Sequence, residues 1–138
     1  MALRATIAVL PSPSVTEDIM NAITRVGIDL AKNIMKIHAV DQAGRVVLRK
    51  TISREKFLSW FANLPRCRVA MEACSTAHYW ARRLSELGHE VRLIPPQFAA
   101  PYRKGGTRVK NDALDAEAVC EADSRPQMRF VPVKSPAQ

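Results

Sequence analysis

The spacing of apolar residues between Arg25 and Pro96 restricts the fold more than any other feature of this chain. "RVGIDLA" alternates, with Val26, Ile28 and Leu30 on one side and Gly27, Asp29 and Ala31 on the other. A two-residue period is that of a strand with one covered face. "MKIHAVD" and "RVVLRKTI" follow, separated by "QAG", whose Gly44 suits a tight turn. The three segments predict an antiparallel meander. The period then changes in "SREKFLSWFANLP": Ser53 stands at the cap position, Glu55 in the first turn, and Phe57, Trp60, Phe61 and Leu64 form one stripe before Pro65. "CRVAMEA" predicts a fourth strand and "EVRLIPP" a fifth. Between them, "TAHYWARRLSELG" predicts an amphipathic helix that turns Tyr79 or Trp80, Leu84 and Leu87 inward and ends at Gly88. Helical crossovers make the later strands parallel to a neighbour. The expected architecture is an α/β domain with a mixed five-stranded sheet, strand 1 lying centrally beside strand 4.

The flanks are less regular. Residues 1–22, with Pro, Ser and Thr clustered at 11–16, are expected to form a disordered or weakly ordered extension, and Met20 would serve as a start just before the first strand. "PYRKGGTRVK" reads as a basic loop and "NDALDAEAVCEAD" as a final helix, while Pro132 limits "RFVPV" to an edge or linker. A chain of 138 residues has room for one such domain, assigned to residues 23–125, with 126–138 as the start of a linker. The longest apolar runs are too short to cross a bilayer, and the first apolar stretch, broken by Pro11 and Pro13, makes a poor signal peptide. The 3 cysteines form no CxxC pair, and His38, His78 and His89 are scattered, so neither a disulfide framework nor a zinc pattern is expected. A reducing cytoplasm suits them. A net charge of +8 and a pI near 9.9 favour a polyanionic partner, nucleic acid before a membrane surface.

Acids stand where strands should be apolar. Asp29 interrupts the first strand, and Glu72 repeats the pattern in "RVAMEAC" between Ala70 and Cys74. Acids are depleted in strands and seldom buried unpaired. Small neighbours (Gly27 and Ala31, Ala70 and Cys74) are expected to leave space above the sheet for an ion or a phosphate. On adjacent strands the two carboxylates would converge, which calls for protonation or an intervening cation. Asp112 and Asp115 are three apart, on one face of the expected helix. The same D-x-x-D spacing is also a helix-start capping pattern. An oxygen-donor set suits Mg²⁺ or Mn²⁺, and two such ions about 3.5–4 Å apart can activate an attacking oxygen and stabilise the leaving oxygen of a phosphodiester. Arg103, Lys104, Arg108 and Lys110, in the loop before that helix, are candidates for holding nucleic-acid phosphates, and Tyr102 for either stacking on a base or simply packing.

"VGIDLAK" together with "AMEACSTAHYWARRLSELGHEVRLIPPQFAAPYRKGGTRVKNDALDAEAV" closely resembles the amino-terminal domain of the DEDD-type insertion-sequence transposases, relatives of the Piv/MooV DNA invertases and of the bridge-RNA-guided recombinases. The resemblance covers about residues 25–135. It implies a RuvC-like, ribonuclease-H-type fold in which Asp29, Glu72, Asp112 and Asp115 bind Mg²⁺ for DNA strand cleavage and exchange. It further implies DNA as partner, a structured guide RNA in some relatives, and a homo-oligomer at full length. Family members continue into a second domain bearing a nucleophilic serine, whereas this sequence stops at Gln138, so an incomplete catalytic domain is expected. The alternative is a non-catalytic nucleic-acid-binding fragment. "GIDL" also opens the phosphate loop of actin-like ATPases, but Ala31 and Lys32 stand where those proteins approach phosphate with Gly or Ser/Thr.

Overall fold

The computed structural model describes residues 11–103 and 112–136, with backbone alone for 11–15 and 112–114. Its elements in chain order are α1 (Pro11–Ala22), β1 (Arg25–Leu30), β2 (Ile34–Val40), β3 (Val46–Ser53), α2 (Arg54–Ala62), β4 (Arg68–Glu72), α3 (Ala77–Glu86), β5 (Glu90–Ile94), the short α4 (Pro96–Ala99) with a 3₁₀ turn (Ala100–Tyr102), and α5 (Asp112–Asp123). The sheet order is β3-β2-β1-β4-β5, with β1 central as the patterning predicts. β1, β2 and β3 pair antiparallel, and Gly44 turns between the last two with φ +83°. The crossovers through α2 and α3 bring β4 parallel to β1 and β5 parallel to β4. Val131 adds an isolated antiparallel bridge to Leu93, the edge role expected for a Pro-containing segment.

Each face of the sheet has its own core. Val26, Ile28, Met35, Ile37, Val69 and Met71 project towards α2 and α3, where Phe57, Phe61, Trp80 and Leu84 meet them. The Phe57 ring packs edge-on against Phe61 and Trp80, both with centroids 5.0 Å away. The stripe chosen for α3 is partly corrected: Trp80 is the inward aromatic, whereas Tyr79 and Leu87 are 46% and 38% exposed. Ser53 precedes α2 without donating or accepting a side-chain cap bond. His89 is a strut: its Nδ1 accepts the Cys67 amide at 3.2 Å and its Nε2 donates to the Phe61 carbonyl at 2.8 Å. Within residues 1–22, expected to be a disordered or weakly ordered extension, residues 11–22 form α1, and Met20 packs against the first core. Residues 1–10 lie outside the described residues.

The opposite face is covered by α5. Ala70, Ile94, Ala99, Val119 and Ala122 form the second, smaller core there. Small residues set how close the helix comes. A Cβ on Gly27 would lie 2.6 Å from the Cys120 Cβ and 2.7 Å from the Cys120 amide nitrogen, and would also meet the Ala116 carbonyl. The interval above Gly27 and Ala70, expected to receive an ion or phosphate, is thus filled by a helix backbone. Among the described residues no helix is long and apolar enough to cross a membrane.

Candidate functional site

The acids converge at the carboxyl ends of the two central parallel strands. The β1–β4 pairing runs from Arg25 opposite Arg68 to Ile28 opposite Met71. Asp29 and Glu72 are the next pair in that register, and adjacent strands lie about 4.7–4.9 Å apart. Alternation puts both on the face of Gly27 and Ala70, the face that α5 covers. In open α/β sheets the crevice beyond the carboxyl ends of the strands is where ligands bind. Lys36, the antiparallel partner of Asp29, donates from its Nζ to Thr51 Oγ1 at 3.0 Å.

Asp115 enters from α5, its side chain only 12% exposed. Arg103, which follows the 3₁₀ turn, joins it to the strands. The Arg103 Nε lies 2.6 Å from Asp115 Oδ1, and its Nη2 lies 3.5 Å from Glu72 Oε2. The guanidinium offsets the repulsion between Glu72 and Asp115, a different pair from the Asp29 and Glu72 expected to need an intervening cation. The Nε contact is close but not aligned, so neither Arg103 Nε nor Asp115 Oδ1 has a hydrogen-bond partner although both are buried. Arg103, expected as a loop residue on a phosphate, is turned inward with 13% of its side chain exposed. Lys104, Arg108 and Lys110 lie outside the described residues, as does the side chain of Asp112, the first residue of α5. Tyr102 packs: it is half-buried against the second core, with the Arg125 guanidinium 5.1 Å from its ring centroid.

Two arginines absent from the sequence-based expectations fix the other end of α5. Arg25 and Arg68 begin β1 and β4 in register with each other. Arg25 Nη1 donates to the Cys120 carbonyl at 2.7 Å. Arg68 Nη2 donates to the Asp123 carbonyl at 3.1 Å and to its Oδ1 at 3.2 Å. They satisfy helix-terminal carbonyls and place positive charge at the negative end of the helix dipole. Asp123 is 2% exposed, and burial pushes its pKa up while Arg68, Arg92 and Arg25 oppose the shift. An Arg heading each of two parallel strands, with an Asp near the end of the final helix, is the signal that could have revealed this anchor.

Oxygen donors are the right chemistry for a hard divalent ion. The buried, unsatisfied Oδ1 of Asp115 facing a cation fits that use. Among the described residues, however, no group of three or more potential ligands is gathered tightly enough to enclose a metal. Asp29 and Glu72 end neighbouring strands, and Asp115 reaches Glu72 through Arg103. Cys67 and Cys120 are removed from this chemistry: burial pushes both thiols up to about 12.

Comparison with known proteins agrees with this layout. A family model described as "Transposase", for DEDD transposases of the IS110 type, matches residues 26–138. A probable family 20 transposase of Pseudomonas aeruginosa is 57% identical over 116 residues, covering 84% of this chain and 33% of that protein. The transposase for insertion sequence element IS1328 of Yersinia enterocolitica is 50% identical over 112 residues, covering 81% of this chain and 33% of that protein. The chain therefore spans about a third of the length of these curated relatives. The structure of Thermus thermophilus RuvC superposes with a TM-score of 0.54 at 12% identity, covering 78% of this chain and 99% of that one. The fold is thus α/β of the ribonuclease-H-like, RuvC type.

Proposed function

Because the chain belongs to the DEDD transposases of the IS110 type, we propose that the carboxyl ends of β1 and β4, faced by α5, are its phosphodiester-cleaving centre, with DNA as substrate. The observation that carries this reading is the parallel register, which sets Asp29 beside Glu72 on the face where α5 delivers Asp115. In this reading Asp29, Glu72, Asp112 and Asp115 hold two Mg²⁺ or Mn²⁺ ions. Bound there, such ions would supply activation of the attacking oxygen and charge stabilisation of the leaving oxygen.

The chain's own residues then have separable tasks. The central strands fix Asp29 and Glu72 on a rigid frame, since β1 is hydrogen-bonded on both sides. α5 sets the height of Asp115 above the sheet through its contact at Gly27, and the Arg25 and Arg68 anchors hold its far end. Arg103 balances charge between Glu72 and Asp115. The basic residues Lys104, Arg108 and Lys110 belong to the proposal as contacts to the DNA backbone. A structured guide RNA and self-association belong to it as properties of the full-length relatives.

The test is nicking of supercoiled DNA by the chain in Mn²⁺, compared with Asp29→Asn of unchanged circular dichroism. Nicking that needs the metal and is lost in the variant is the expected result. Equal nicking by both proteins, or a folded wild-type chain that neither nicks DNA nor binds Mn²⁺ in calorimetry, refutes the assignment.

A further inference from the structure

We propose that Arg103 is a displaceable counter-cation, which holds Glu72 and Asp115 together before loading and must be expelled for a divalent ion to take them. The inference rests on the reading of these acids as ion ligands. The two carboxylates come from different elements, β4 and α5, and each bears on the same guanidinium, at 3.5 Å and 2.6 Å. Without that charge they would repel across the strand–helix gap.

The same fold contains an arginine that is built to stay, and the contrast is informative. Arg68 donates hydrogen bonds to both the carboxylate and the carbonyl of Asp123, which is 2% exposed. Arg68 too has a buried Nε without a partner, but its Nη2 makes two hydrogen bonds, whereas Arg103, with the shorter charge contact, has its buried Nε and the facing Asp115 Oδ1 both without a hydrogen-bond partner. An arginine–carboxylate bridge draws its strength from aligned, paired donors. Arg103 therefore compensates charge without locking the geometry. Its backbone is held independently, because its amide donates to the Ala100 carbonyl at 3.1 Å and closes the 3₁₀ turn. The side chain can swing while its root stays fixed. A divalent ion seated between the two carboxylates would meet the guanidinium at contact distance and repel it, so loading sets free one positive charge beside the site. That charge is then available to a phosphate oxygen of the incoming DNA.

The experiment is Mn²⁺ titration by calorimetry of the 138-residue chain and its Arg103→Gln and Arg103→Lys variants. Arg103→Gln is expected to bind Mn²⁺ about tenfold more tightly, within the 5- to 150-fold range of ordinary coupling between two sites. Arg103→Lys keeps a charge that cannot span both acids, and tightens binding by less. A second readout is thermal unfolding: Arg103→Gln melts below wild type in EDTA, and the gap narrows at a fixed, near-saturating Mn²⁺ concentration. Equal or weaker Mn²⁺ binding by folded Arg103→Gln overturns the proposal. Should that variant not fold, wild-type affinity in Arg103→Lys overturns it instead. Absence of Mn²⁺ binding in wild type and variants alike overturns the underlying site, and the role of Arg103 with it.

Discussion

Gly27→Ala is the substitution that most sharply separates a docked α5 from a loosely placed one. The added Cβ would lie 2.6 Å from the Cys120 Cβ, 2.7 Å from its amide nitrogen, and against the Ala116 carbonyl. Carbon pairs rest at about 3.5–4.0 Å, so relief needs a separation of about 1 Å. Two of the three obstructing atoms are helix backbone, so a rotamer change cannot supply it and the whole helix must lift. Overpacking of this kind costs about 1–3 kcal/mol. For a domain of this size each kcal/mol is worth about 4 °C, so thermal unfolding followed by circular dichroism should fall by about 4–12 °C. The lift also carries Asp115 away from Glu72 and Asp29, and a 1 Å misplacement at a reacting centre costs about 100-fold in rate. DNA nicking should therefore drop far more than the folded fraction does. A melting temperature within 1 °C of wild type, with nicking retained, would refute the close approach of α5 to β1.

Other consequences are simpler to read. Asp123→Ala removes the carboxylate beside Arg68, 32% exposed, while leaving its bond to the residue-123 carbonyl, and should cost about 2–3 kcal/mol in urea unfolding, below the 3–5 kcal/mol of a fully buried pair because water reaches the arginine. Asp123 has its folded pKa raised by burial, so the native state holds a proton that the unfolded chain has lost. Stability then falls as pH rises above 3.8, and wild type should gain on Asp123→Asn as pH drops towards 3.8; a difference that does not change with pH would contradict this. Cys74 is exposed, whereas Cys67 and Cys120 have thiols raised from 9.0 to about 12, so alkylation near pH 8 should label Cys74 rapidly and the others only on unfolding. Between pH 9.0 and about 12 each of those two thiols ionises only in the unfolded chain, so stability should decline by up to about 1.4 kcal/mol per pH unit per thiol.

The sheet was legible because its signal is local. Alternation in "RVGIDLA" and "RVAMEAC" fixed which residues share a face, and crossover length fixed the parallel pairing that brings Asp29 next to Glu72. Gly27 and Ala70 were misread because small residues beside an acid suit either an ion or a close helix. The distinction depends on α5, some ninety residues away from β1. The inward turn of Arg103 was not legible for a related reason: within "PYRKGGTRVK" it is one cation of several, and only the fold turns it towards Asp115. The Pro-containing stretch before Met20 read as a disordered or weakly ordered extension, but Pro11 and Pro13 occupy the first turn of α1, where the missing N–H groups would have no intrahelical partner.

The central claim is that acids from β1, β4 and α5 act as one ion-binding centre. Mn²⁺ binding followed by electron paramagnetic resonance tests it most directly, in wild type and in Asp29→Asn, Glu72→Gln and Asp115→Asn. Wild type is expected to quench the free-ion signal, and each variant, still folded by circular dichroism, to bind at least tenfold more weakly. Undiminished Mn²⁺ binding in all three variants would contradict the claim.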